Sequence, residues 1–90
     1  MDENHENAML ILKAMVERSR VNTSNGDVIR RITNLECDEI NSAIPCLEEM
    51  KLVKTLHDIN KVKFNFFNVT LQPEGYEYYN EHLGKIKKID

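Results

Sequence analysis

The sequence predicts an α+β fold: a three-helix core, a β-hairpin and an added C-terminal helix. Three observations predict it. Ile40, Ala43, Ile44, Leu47 and Met50 fall at i, i+3, i+4, i+7 and i+10, one apolar face of a helix lying on a core. Apolar and polar residues alternate over Leu52 to Ile59 and again over Val62 to Leu71, the period of two paired strands. Tyr76, Tyr79, Leu83 and Ile86 recur at steps of 3, 4 and 3, a seam on a closing helix.

In chain order, a first helix is expected from Asn4 or Asn7, either a fair N-cap, to about Ser19. Its apolar stripe is Ala8, Ile11, Leu12, Met15 and Val16. Val21-Asn22-Thr23 fits a small strand that pairs with the hairpin. Ser24 or Asn25 caps a second helix over Asp27 to Thr33, with Val28, Ile29 and Ile32 inward and Arg30 pointing away. Asp27 suits the positive end of that helix. Asn34 stands at a turn position that favours glycine, and Asn is the side chain that best tolerates a left-handed backbone. Leu35 packs inward, and Glu36 takes the N-cap slot of the third helix, Asp38 to Lys51.

Pro45 is the awkward residue of that helix. It has no amide to give the carbonyl of Asn41 and crowds it, at a cost of about 3 kcal/mol in a helix interior. A break at Asn41 is one outcome. The period continues through Leu47 and Met50, however, and favours a kinked but continuous helix whose wet face is Asp38, Ser42, Pro45 and Glu49. Asn60-Lys61 marks the hairpin tip. Val62, Phe64 and Phe66 share one parity and Phe67, Val69 and Leu71 the other, which predicts a bulge at Phe66-Phe67. Pro73 suits the first turn of a last helix over about residues 73–88.

Ninety residues form a single domain, 1–90, with 41% hydrophobic and 30% charged residues, ordinary values for a globular chain. Net charge is −3, from 12 basic and 15 acidic side chains, so contact with nucleic acid requires a local basic patch. No apolar run approaches the roughly 20 residues of a membrane span, and the acidic start MDENHEN is unlike a signal or transit peptide. A cytoplasmic location without membrane contact is expected. Cys37 and Cys46, nine residues apart on one helix, are separated by about 13 Å, too far to bridge. Metal-site spacing, phosphate-binding glycine loops and hydrolase motifs do not occur, so neither a cofactor nor an enzyme is expected.

The segment from Ile32 to Thr55, with Leu52-Val53 after the third helix and Pro73-Glu74-Gly75 after the hairpin, resembles winged helix-turn-helix domains, especially small archaeal regulators. The resemblance spans nearly the whole chain, although these short motifs single out no one protein. It implies a transcriptional regulator that binds double-stranded DNA as a homodimer, with the third helix in the major groove and the hairpin as the wing. Carried onto this chain, base-edge contacts fall to Asn41 and Ser42, with Asp38 or Glu39 beside them. Phosphate contacts fall to Arg30, Arg31, Lys61 and Lys63, helped by Lys51 and Lys54. Tyr76, Tyr79, Leu83 and Ile86 are the dimer-interface candidates, unless they only cover the first helix of their own chain. The third helix has no outward positive charge. The alternative is therefore a protein-interaction module that docks a basic partner on that acidic face.

Overall fold

The computed structural model describes residues 3–18, 22–58 and 63–83. Among these the elements run α1 (Glu3–Arg18), β1 (Thr23–Ser24), α2 (Gly26–Thr33), α3 (Cys37–Glu49), β2 (Val53–His57), β3 (Phe66–Leu71) and α4 (Pro73–Tyr78), the last continuing as a π-helical turn over Tyr79–Leu83. The fold is α+β, four helices beside a three-stranded antiparallel sheet of order β1-β3-β2. The expected tip at Asn60-Lys61 and the tail beyond Leu83 lie outside the described residues. No helix among them is long and apolar enough to cross a membrane.

One apolar cluster holds the elements together. Ala8, Ile11, Leu12 and Met15 of α1 meet Ile40, Ala43, Ile44 and Leu47 of α3, all at most 3% exposed. Ile29, Leu35, Leu52, Val53, Phe64, Phe66, Val69 and Leu71 complete it. Helix α1 begins at Glu3, earlier than either asparagine expected to cap it, with Glu3 and Glu6 in its first turn where the helix dipole favours carboxylates. Asn25 caps α2, its Oδ1 accepting from the Val28 amide at 2.9 Å. Gly26 follows because α2 starts against an aromatic ring: a Cβ here would lie inside the Phe64 side chain.

Helix α3 runs unbroken through Pro45, which is exposed, so the prolyl ring sits on the wet side of the helix. Its end was not legible as a stop. Lys51 adopts φ 63°, its amide donates to the Glu48 carbonyl at 2.9 Å, and Leu52 donates to the Leu47 carbonyl at 3.0 Å. That is a Schellman closure with lysine in the place glycine usually takes, and buried Leu47 and Leu52 supply its apolar contact.

The sheet follows from register. Val53 pairs with Leu71 and Thr55 with Val69, placing four inward residues together on the core face. Leu56 pairs with Asn68 but His57 with Phe66, so Phe67 is the extra residue of a bulge, at the site of the parity switch. The bulge turns Phe67 out to 53% exposure, although its parity matches buried Val69 and Leu71. The β3 end is sealed to α4: the Gln72 amide donates to the Leu52 carbonyl at 3.0 Å, and a Cβ on Gly75 would strike that same oxygen.

Candidate functional site

Two helices and a turn build the first part of the site. Asn34 closes α2 in the left-handed conformation, φ 66°, with its amide on the Arg30 carbonyl at 2.8 Å. Leu35 is buried, and Glu39 reaches back from α3 so that its carboxylate accepts the Glu36 amide at 2.8 Å. This turn leaves Arg30 and Arg31 exposed at the end of α2. Together with Asp27, Asn34, Leu35 and Glu36 they line an open depression of about 520 Å³. Among the described residues neither arginine is paired with a carboxylate.

The outward face of α3 carries Asp38, Ser42, Pro45 and Glu49, all exposed. Of the residues singled out for base contact, only Asp38 and Ser42 point freely to solvent. Glu39 is half-buried and occupied by capping. Asn41 is engaged within the chain: its Nδ2 donates to the Lys63 carbonyl at 3.1 Å and its Oδ1 accepts from the Asn65 amide at 2.9 Å. Both ends of the carboxamide are spent on the hairpin backbone, so in this conformation it cannot make a bidentate pair with a base.

The basic residues do not form one patch. Lys63 Nζ lies 3.0 Å from Asp27 Oδ1 and 5.7 Å from the centre of the Phe64 ring. With side chains 53% and 64% exposed, that ion pair is weak and exchangeable. Lys51 and Lys54 lie past the opposite end of α3, beside Glu48, Gln72 and Glu74. Lys61 falls outside the described residues. Between α3 and the hairpin runs a groove of about 200 Å³, floored by Ile44, Pro45 and Phe66. Its rim is a His57–Glu48 pair at 3.2 Å, charged only when the imidazole is protonated. Thr55 Oγ1 is buried nearby with no hydrogen-bond partner among the described residues.

The C-terminal residues turn inward on their own chain. Tyr79 donates its hydroxyl to Glu17 Oε2 at 2.6 Å, and Leu83 and Tyr78 pack on the core. The hydrogen bond to the Glu17 carboxylate, more than burial, pushes the Tyr79 phenol above its usual range. Tyr76 stays 36% exposed, while Ile86 lies outside the described residues. Of the expected seam, Tyr79 and Leu83 thus cover their own chain. Tyr78 and Leu83, five residues apart, both pack on the core, whereas Tyr76 does not.

Sequence reasoning did not single out Asp27, Glu48 and His57 as partners, or Asn65 as the anchor of Asn41. Charge and spacing carry no signal for pairs this far apart in the chain. Among the described residues no group of three or more His, Cys, Asp or Glu could hold a metal ion, and Cys37 and Cys46 on α3 are half-buried and not joined in a disulfide. No family model, curated protein or solved structure matches the chain.

Proposed function

We propose that the chain is a winged helix domain that binds duplex DNA, and that as a dimer it regulates transcription by occupying an operator. The order helix, strand, helix, turn, helix, hairpin, helix supports the winged helix reading, with β2 and β3 as the wing. The single observation that carries the DNA reading is the adjacent, exposed Arg30 and Arg31, unpaired with any carboxylate among the described residues, at the corner where α2 hands over to α3. Two guanidiniums beside the first turn of α3 hold phosphates of one strand, and bidentate geometry suits them to it. Lys63 joins them by exchanging Asp27 for a phosphate, and Lys51 and Lys54 serve the backbone at the far end of α3. Ser42 and Asp38 face the base edges, Asp38 accepting from the amino group of cytosine.

Affinity comes largely from neutralised phosphates, and a net charge of −3 opposes it, so two copies share the work. Tyr76 and Ile86 remain for the dimer contact in this reading, since Tyr79 and Leu83 serve the monomer. Anisotropy titrations on mixed-sequence duplex at several salt concentrations test it. Arg30→Ala weakens binding on every sequence and lowers the salt slope by about one for each monomer bound. A folded, dimeric protein that ignores duplex DNA at low salt would sink the proposal.

One observation favours a second reading, a module that docks a basic protein segment. The outward face of α3 presents Asp38 and Glu49 and no cation. In that case Asp38→Asn with Glu49→Gln abolishes binding to a lysine-rich peptide, whereas Arg30→Ala leaves it unchanged.

A further inference from the structure

We infer that Asn41 is a positioning residue: its carboxamide locks the hairpin onto α3 and fixes the angle at which the two present themselves to a nucleic-acid backbone. The functional half of this rests on the DNA reading above; the structural half rests on hydrogen-bond geometry alone. A side-chain amide has the same donor and acceptor as a peptide group. Here it is used as one, donating to the Lys63 carbonyl at 3.1 Å and accepting the Asn65 amide at 2.9 Å. Asn65 is thereby held from both sides, because its own carbonyl accepts the Asp58 amide at 3.0 Å. One residue of the hairpin thus joins both strands to the middle of α3.

The lock acts where the strand ladder runs out, beside the cross-strand bond from Asp58 to Asn65. Strand pairing ends at His57 and Phe66, and beyond it the backbone of residues 63–65 runs past α3. Two further ties reach the hairpin, Asp27 to Lys63 at 3.0 Å and Glu48 to His57 at 3.2 Å. The first is a mostly exposed ion pair that salt screens, and the second carries charge only when the imidazole is protonated. The Asn41 bonds are neutral and survive salt. They also leave Lys63 free to exchange Asp27 for a phosphate, because Asn41 holds its backbone and not its ammonium group. This makes base reading and wing positioning mutually exclusive tasks for Asn41, and the geometry assigns it the second.

Amide hydrogen exchange on the free protein and duplex titrations, both on the full chain, test the inference. In Asn41→Ala the Asn65 amide exchanges roughly two- to tenfold faster, at low and high salt alike, while the core amide of Leu47 is unchanged. Affinity falls by a similar factor on every duplex, and the ratio between any two sequences stays at its wild-type value. Asn41→Asp keeps the acceptor and so keeps the Asn65 amide slow, although it loses the donor to Lys63. An unchanged Asn65 rate in Asn41→Ala overturns the lock. A shifted ratio between duplexes returns Asn41 to base reading and overturns the positioning role. If no duplex is bound at all, the DNA reading fails while the exchange rates still decide the lock.

Discussion

Helix α3 meets the rest of the chain twice, and in different currencies of interaction. Toward α1 it presents Ile40, Ala43, Ile44 and Leu47, none more than 3% exposed, and the contact is apolar throughout. Toward the outer hairpin it presents Asn41 and Glu48, and the contact is made of amide hydrogen bonds and a Glu48–His57 contact that is an ion pair only when the imidazole is protonated. The apolar side scales with area removed from water and cannot be given up piecemeal without a cavity. The polar side consists of exposed bonds whose loss water largely compensates. The first holds the fold, and the second sets the attitude of a projecting element that must meet a partner.

The difference is broken or sharpened most strongly at Leu47. Leu47→Ala should cost about 2–5 kcal/mol in chemical denaturation, since it opens a cavity and strips the Schellman closure of its apolar contact. A loss below about 1 kcal/mol would mean that α1 and α3 are not packed as described. Gly26→Ala comes next, at about 1–3 kcal/mol, because the new methyl displaces the Phe64 ring from beneath α2. That ring is where the apolar body reaches the base of the hairpin, so the variant should also broaden the Phe64 and Phe66 signals, whose rings sit 5.5 Å apart.

The smallest effect is expected at Tyr79, whose hydroxyl ties the C-terminal helix to α1 through Glu17. Tyr79→Phe should lower the melting temperature slightly at about pH 8. The folded phenol titrates above the ordinary 10.0 of the unfolded chain. Its contribution is therefore complete below that value and is lost as the pH rises through the folded one. Melts above that range should no longer separate Tyr79→Phe from wild type, and a difference that persists there would show that the hydroxyl is not the source.

Much of the fold was legible because it follows from local spacing. The apolar period named Ile40, Ala43, Ile44 and Leu47, the parity switch located the bulge at Phe66-Phe67, and Asn34 announced a left-handed turn. The candidate site was less legible. Arg30 is exposed because it opposes Ile29 and Ile32 on a helix, which periodicity can see. The engagement of Asn41 is invisible to periodicity, because its partners are 22 and 24 residues away.

By itself the sequence determined which faces are apolar and where the backbone turns, since those depend on neighbours within a few residues and on water. Only the tertiary structure decided three other things: that Lys51 adopts the left-handed cap, that Tyr78 packs on the core while Tyr76 stays exposed, and that Asn41 serves the hairpin. In none of these cases does local preference point to the outcome, and for Lys51 it points away from it. The choice falls to groups that meet only after the chain has closed.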